Sequence, residues 1–298
     1  MPSLPSSYAT LSLPQISLSH HPSSSSTPTP VIILTLSRPP QNAFTETMVS
    51  SLARAYSLLS ADPRVKCIVL TSSDPSNRTF CAGMDLHSPV TLPSKRSSHR
   101  DTGGIVSLAM HNCSKPIIAA INGSAVGVGI TMTLPASIRI VSRAARIGFV
   151  FARRGFNMEA CSSFYLPRLV GAGPALHLVT TGAVYPATDP LLRNLFSEIV
   201  DPDQVLPRAL EIAEDVAANT STVAVRVMRD MVLRTPASPE EAHLLESEIF
   251  FDLFGGKDAR EGMESFMQKR PPKFEATMEE DAPSAYPWWE EKYVKAKI

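Results

Sequence analysis

The feature that most constrains this fold is the alternation of short, β-branched apolar runs with helical segments. Val31 to Leu36 is such a run, and Cys67 to Leu70 is the next. Between them Thr45 can cap a helix whose apolar positions recur at helical spacing: Met48, Leu52, Tyr56 and Leu59. A strand, helix, strand order requires a crossover and therefore parallel pairing. Because the alternation returns at 116–121, 138–142 and 198–200, we predict an α/β fold.

The same pattern divides the chain into four regions. Residues 1–30 read as an irregular N-terminal hairpin with a Ser/Pro-rich loop, and residues 31–202 as the repetitive α/β core. Residues 203–274 have helical periodicity only, with helices expected at 204–219, 222–233, 239–254 and 258–269. Residues 275–298 form an extended tail. Within the core, 87–104 is rich in Ser, Pro and Gly and predicts a surface loop.

Composition excludes several classes of protein. Lys+Arg and Asp+Glu number 28 each, and no basic run is present, so nucleic acid is not an expected partner. No apolar stretch approaches the ~18 residues of a membrane span, and we expect no secretory signal. Four cysteines without CxxC spacing predict reduced thiols in an intracellular protein. The end Ala296-Lys297-Ile298 is small, basic and aliphatic like a peroxisomal import signal, which predicts a peroxisomal location, with the cytoplasm as the alternative.

Two glycine-containing segments follow predicted strands. In Phe80 to Leu86, Gly83 lets backbone amides approach a ligand, which suits half of an anion or oxyanion site or an ordinary strand-to-helix turn. The second segment runs from Asn122 to Gly129 and is followed by 130–134, which can start a helix. Amides at a helix N-terminus favour negative charge on a ligand. The second segment matches neither a dinucleotide fingerprint nor a P-loop.

Glu159 stands alone among small and apolar residues at the start of a predicted helix. Desolvation there would raise the pKa of its carboxyl and allow proton transfer near neutral pH. The alternative is that Glu159 only complements the helix dipole.

Taken together, these segments resemble the enoyl-CoA hydratase/isomerase (crotonase) superfamily over about residues 8–275. The matching segments are Arg38-Pro39 with Asn42-Ala43, Asp62 to Val65, Ile68 to Thr71, Phe80 to Leu86, Lys115-Pro116, Asn122 to Gly129, Asp258 to Phe266, Lys269 to Pro271, and Phe274. The resemblance implies a spiral core of repeated β-β-α units and a C-terminal helical region that builds trimers or hexamers. It also implies an acyl-CoA substrate and no metal or other cofactor, coenzyme A being part of the substrate.

The resemblance further implies which residues bind the thioester. The oxyanion hole would be the backbone amides of Ala82 and Val128, which stabilise an enolate. Substrate contacts would come from a wider set: Ala82, Gly83, Met84, Asp85, Leu86 and Gly127. For Asp85, a purely structural role in the turn is an equal alternative.

The acid–base residues separate two kinds of family member. Hydratases of this type use two glutamates, and Thr131 and Phe151 stand at the matching positions, so two-glutamate activation of water is not expected. Met158 to Ser163 instead resembles the segment of Δ3,Δ2-enoyl-CoA isomerases that carries their catalytic glutamate, which Glu159 matches. We therefore expect an isomerase of fatty-acid β-oxidation with Glu159 as its base. The alternatives are a hydratase or dehydratase acting on a specialised acyl-CoA, such as a siderophore or toxin precursor, and a catalytically silent acyl-CoA-binding homologue.

Overall fold

The computed structural model describes residues 4–87 and 94–290. Part of the predicted surface loop, 88–93, and the predicted import signal at 296–298 lie outside these residues. The chain divides into two compact units, Met1–Glu214 and Asp215–Ile298.

The first unit is built from two sheets and their connecting helices. Its elements are β1 Ile16–His21, β2 Val31–Leu36, α1 Glu46–Ala61, β3 Cys67–Ser72, β4 Thr79–Cys81, α2 Thr102–Asn112, β5 Ile117–Ile121, β6 Ser124–Val126, α3 Val128–Thr131, β7 Ile138–Ser142, β8 Arg146–Gly148, α4 Ser162–Val170, α5 Ala172–Thr181, β9 Val184–Pro186 and β10 Glu198–Val200; it ends within α6, Val205–Asn219. One sheet has the order β1-β2-β3-β5-β7-β10 and the other β4-β6-β8-β9. All neighbours in the larger sheet are parallel except β1 and β2. The predicted α/β class and its parallel pairing are confirmed.

Helix α1 shows why the sequence pattern was readable. Thr45 Oγ1 accepts a hydrogen bond from the Met48 amide at 3.2 Å, which satisfies one of the unpaired amides of the first turn. The four apolar positions expected to face the core are all buried. Every residue of β3 is buried as well, since it lies inside the larger sheet between β2 and β5.

Three boundaries near the glycine-containing segments differ from prediction. Helix α2 already begins at Thr102, so the last part of the predicted loop 87–104 is helical, with Gly103 and Gly104 buried. Helix α3 covers only Val128–Thr131 rather than continuing through 134. Helix α4 begins at Ser162, so Glu159 lies in the preceding turn and not in a first helical turn.

The second unit contains α7 Thr222–Leu233, α8 Pro239–Phe254 and α9 Lys257–Gln268. Val223 and Val227 of α7 and Ile249 of α8 form its buried core. Tyr286 and Trp288, from the segment after α9, pack against this core. The Tyr286 hydroxyl donates to Asp230 at 2.8 Å, which fixes that segment to α7.

No helix within residues 4–87 and 94–290 has both the length and the apolar character to cross a bilayer.

Candidate active site

Strands β4 and β6 bring the two glycine-containing segments side by side. They pair in parallel, with Thr79 opposite Ser124 and Cys81 opposite Ala125. A Cβ on Gly129 would lie 2.3 Å from the Cys81 carbonyl oxygen, and a Cβ on Gly83 would lie 2.9 Å from the Val126 oxygen. Gly83 also has φ +95°, a conformation that other residues rarely adopt. The two backbones therefore touch directly, and the glycines allow this approach.

The amide of Ala82 is not available to a ligand. Its N–H donates to the Gln41 carbonyl at 3.1 Å, so the prediction that Ala82 is an oxyanion donor is wrong. The reason is a long-range pairing between residues 41–44 and 82–85 that the local motif does not reveal.

The amide of Met84 takes the place expected for Ala82. Phe44 N donates to the Gly83 oxygen at 2.8 Å and Asp85 N donates to the Phe44 oxygen at 3.0 Å, so Gly83 and Asp85 both face Phe44. Since backbone groups alternate in direction along an extended chain, the Met84 N–H points to the opposite side.

Val128 supplies the second candidate amide. It opens α3, where the first amides have no partner within the helix. The Ile130 and Thr131 amides both donate to the Gly127 oxygen, at 3.1 Å each, whereas the Val128 amide has no backbone acceptor among the residues that the structure describes. Met84 and Val128 therefore offer two amides on adjoining segments, an arrangement suited to one negatively charged oxygen.

Among the remaining residues predicted to contact substrate, some are exposed and others have hydrogen-bond partners within the protein. Asp85 Oδ2 accepts from Arg38 Nη2 at 2.5 Å and its Oδ1 accepts from the His87 amide at 3.0 Å, which favours the structural reading of this carboxylate. Met84 and Leu86 are exposed apolar side chains, 43% and 67% accessible. The Gly127 amide donates to the Gly148 oxygen at 2.8 Å.

A strained turn presents Glu159. Its carbonyl accepts from the Ser162 amide at 3.0 Å and from the Ser162 hydroxyl at 2.5 Å. Ala160 and Cys161, which follow it, have φ of +57° and +56°. Two successive non-glycine residues in the left-handed region each cost about 1–3 kcal/mol, a kind of strain that clusters at functional sites.

The Glu159 carboxyl is held between α3 and the start of α2. Thr131 Oγ1 donates to Oε1 at 2.7 Å. The other oxygen, Oε2, faces Gly103 so closely that a Cβ there would lie 1.7 Å from it. Asp101, the N-cap of α2, accepts at Oδ1 from the Gly104 amide at 2.5 Å and from the Ala160 amide at 3.1 Å. The cap of α2 therefore also holds the turn that presents Glu159.

These surroundings raise the pKa of Glu159 to about 7. Burial is the largest cause; the Thr131 hydrogen bond opposes it, and the charge of Asp101 and a hydrogen bond to its side chain raise the pKa further. A carboxyl that titrates near neutral pH can both accept and return a proton. The raised pKa is the one expected from the isolated position of Glu159 in the sequence.

Sequence reasoning missed Asp101 and Gly103. It also noted Thr131 only as a position without a glutamate, although its hydroxyl contacts Glu159. A signal for Asp101 does exist, because an aspartate directly before an apolar-periodic segment is a typical helix start. The glycine pair at 103–104 obscured that signal, since glycines favour a loop interpretation.

No set of three or more His, Cys, Asp or Glu side chains is placed to bind a metal ion within residues 4–87 and 94–290. All four cysteine sulfurs are thiols; Cys161 is half-buried and the other three are buried.

The fold and this site define a family of enzymes. Residues 26–277 match the family model described as Enoyl-CoA hydratase/isomerase, and the chain belongs to this family. It is similar to "Enoyl-CoA hydratase AFT3-1" of Alternaria alternata, with 52% identity over 254 residues that cover 85% of this chain and 84% of that protein. "Enoyl-CoA hydratase ACTT3" of the same organism is 51% identical with the same coverage.

Solved structures have the same architecture. The structure of DspI from Pseudomonas aeruginosa superposes with a TM-score of 0.78 at 29% identity, covering 88% of this chain and 97% of that one. A probable enoyl-CoA hydratase/isomerase from Mycobacterium abscessus gives a TM-score of 0.76 at 31% identity, covering 83% of this chain and 96% of its own. The expected crotonase-like fold is confirmed.

Proposed function

We propose that this protein reversibly adds water to the C2–C3 double bond of a 2-enoyl thioester of coenzyme A, with Glu159 as the general base and acid. The role of Glu159 is supported by the pKa of its carboxyl, about 7, and by the Met84 and Val128 amides of the same candidate site. This observation suits hydration and isomerisation alike, so the choice of hydration depends on the relatives. The names of the relatives at 51–52% identity support hydration over other reactions of the family.

The reaction balances with one carboxyl. Ionised Glu159 takes a proton from water as the water oxygen bonds to C3, and the π electrons move through C2 onto the thioester oxygen. The Met84 and Val128 amides stabilise that enolate oxygen, a contact whose loss typically costs 10²–10³ in rate. Glu159 then returns its proton to C2. Dehydration is the same sequence in reverse.

Isomerisation is the second candidate, and the residues around Glu159 favour it. Thr131 and Phe151 provide no second carboxylate, and the Thr131 hydroxyl instead donates to Glu159. In this reaction Glu159 takes a proton from C2 of a 3-enoyl thioester and returns it to C4, with the same enolate between the two steps. Water is not consumed.

An apolar pocket begins at Met158, the residue before Glu159. An open pocket of about 270 Å³ adjoins this segment at Met158 and Ser163 and is completed by Pro167, Ala172, Leu176 and neighbouring residues. Apolar linings of this kind bind alkyl groups with few polar contacts. We propose that part of the acyl chain occupies this pocket.

The second unit supports assembly into trimers. Phe250, Phe251 and Phe254 of α8 and Phe266 and Met267 of α9 are between 55% and 84% exposed. A concentration of large apolar side chains at a surface is typical of a protein interface. We propose that copies of this chain cover it, as the family resemblance implies.

The test follows the ultraviolet absorbance of the conjugated 2-enoyl thioester and the product mass. A fall in absorbance from a 2-enoyl-CoA with gain of one water supports the hydratase; a rise from a 3-enoyl-CoA without mass change supports the isomerase. Glu159→Gln should abolish whichever activity is found, while the exposed control Glu211→Gln should leave it unchanged. Silence of the wild type on both substrates across acyl chain lengths would contradict both reactions and favour a binding protein.

A further inference from the structure

Asp101 is a second carboxylate beside Glu159 that the proposed reactions do not use. It precedes α2, whereas Glu159 precedes α4, so two separate loops bring the two carboxyl groups together. Asp101 Oδ1 accepts from the amides of Gly104 and Ala160, which fixes the orientation of this side chain. Ala160 is the residue directly after Glu159, so the same bond fixes the backbone next to Glu159.

The contact between the two side chains depends on protonation. Two adjacent glycines of α2 place the carboxyls side by side, since a Cβ on Gly103 would lie 1.7 Å from Glu159 Oε2 and a Cβ on Gly104 2.6 Å from Asp101 Oδ2. In a hydrogen bond between the two groups a neutral Glu159 carboxyl is the donor, which agrees with the raised pKa of Glu159. An ionised Glu159 has no proton to donate, and it meets instead the negative charge of Asp101.

We propose that Asp101 is a positioning residue for the proton transfer: its carboxylate accepts a hydrogen bond from protonated Glu159 and keeps the proton on that group between its uptake and its return to the substrate. This inference rests on the proposed role of Glu159. A residue that only capped α2 would need an acceptor oxygen but not a negative charge, because Asn and Ser cap helices about as well as Asp.

The groups that face Glu159 define the expected pH dependence. Asp101 from the cap of α2 lies beside its carboxyl, and Thr131 from α3 donates to it. Cys161, the nearby thiol, has its pKa raised above the usual value by burial and by both carboxylates, so it stays neutral through the range in which Glu159 titrates. Removal of the Asp101 charge should therefore lower the midpoint of the Glu159 titration, the pH at which its carboxyl is half-ionised, by on the order of 1 pH unit.

The test uses the full-length protein and the variants Asp101→Asn and Asp101→Ser, both of which keep a cap for the Gly104 amide. The control is Asp189→Asn, which makes the same change in an aspartate that caps the short 3-10 helix Pro190–Leu192 through the Leu191 amide at 2.9 Å. The Glu159 midpoint is measured without substrate by carbon-13 NMR of labelled glutamate, with Glu159→Gln assigning the signal. The dependence of the enzymatic rate on pH is measured in parallel, and its acidic limb is compared between the variants.

We expect both Asp101 variants to lower the Glu159 midpoint and to move the acidic limb of the rate profile to lower pH, with the control unchanged. An unaltered midpoint in correctly folded Asp101→Asn and Asp101→Ser, or an equal shift in Asp189→Asn, would overturn the proposal. The NMR titration needs no turnover, so a wild type without activity but with the predicted shift would contradict only the proposed function. A wild type that is active on an enoyl-CoA, together with Asp101 variants in which the Glu159 midpoint does not shift, would contradict only the role of Asp101.

Discussion

The two oxygens of Glu159 have different neighbours, and this difference sets its chemistry. Oε1 accepts from Thr131, which stabilises the ionised form, whereas Oε2 lies against the first turn of α2 next to the Asp101 cap. Burial and Asp101 favour the neutral form. The carboxyl titrates near neutral pH because these opposing contributions act on one group.

Thr131→Val should raise the Glu159 midpoint above 7, because it removes the hydrogen bond that favours the anion. The acidic limb of the rate profile should move to higher pH, opposite to the effect of Asp101→Asn. The matched control is Thr133→Val, a buried threonine of the same segment whose hydroxyl donates to the Ile130 oxygen at 2.8 Å. An acidic limb that stays in place or moves down in Thr131→Val would contradict this account.

Glu159→Gln should stabilise the fold at alkaline pH. The folded-state pKa of about 7 lies above the ordinary 4.5, so wild-type folding loses free energy as pH rises from about 4.5 to 7. Glutamine stays neutral, so the variant should exceed the wild type by up to about 3 kcal/mol above pH 7. Urea unfolding at pH 5 and pH 8 measures this, and an equal difference at both values would contradict it.

Individual site residues differed in how far the sequence could predict them. Glu159 could be singled out as a candidate because it is a lone carboxylate among small and apolar residues, whereas its role as a base is implied by the family resemblance. The donor amide could not: whether Ala82 or Met84 faces a ligand depends on pairing with Gln41 and Phe44, about forty residues earlier. Local motifs contain no information about such a distant partner.

At the scale of elements, the start of α2 borders the candidate active site. Its first turn contributes Gly103 against Glu159 Oε2, and its cap Asp101 holds the following turn. Position 103 needs a residue without a side chain because a Cβ there would overlap Glu159 Oε2. This glycine is present although glycine within a helix costs about 1 kcal/mol relative to alanine.

Gly103→Ala should therefore lower activity at least about 10²-fold, because a Cβ 1.7 Å from Oε2 must displace the carboxyl from its position. The matched control is Gly173→Ala in α5, where a Cβ meets nothing within 4 Å and stability should rise slightly. Rates of both variants at saturating substrate, with circular dichroism to establish folding, provide the measurement. Wild-type activity in Gly103→Ala would show that the carboxyl has another working position.

Elements with a clear period were predictable, and those fixed by contacts were not. Helix α1 and strand β3 follow directly from apolar spacing and a capping threonine, and α7 to α9 begin and end within a residue of the expected bounds. Helix α2 starts earlier than expected because Gly103 and Gly104 favour a loop interpretation in the sequence. In the structure they lie in the first turn of the helix, where they allow close packing against Glu159 and Asp101. In a single sequence the two uses of glycine look the same.

At the scale of the whole molecule, a large apolar cavity and Glu159 belong to different units. A cavity of about 1060 Å³ in the second unit is lined by Met228, Phe250, Phe251 and Phe254, among others. The lining also includes His243, Glu246 and Asp252. The exposure of its large apolar side chains in the single chain is costly in water. Such a surface is better explained by contact with another copy than by a small substrate.

The purified protein should accordingly have a mass in solution of three or six times the 32.3 kDa of one chain. Phe251→Glu combined with Phe266→Glu should shift it toward the monomer, because a buried, unpaired carboxylate at an interface costs several kcal/mol. Leu4→Glu, the same apolar-to-acidic change in the first unit, is the control and should leave the mass unchanged. Light scattering at several concentrations measures the outcome. A wild-type monomer would contradict the proposed assembly, and an unaltered oligomer in the double variant would mean that α8 and α9 do not form its contacts.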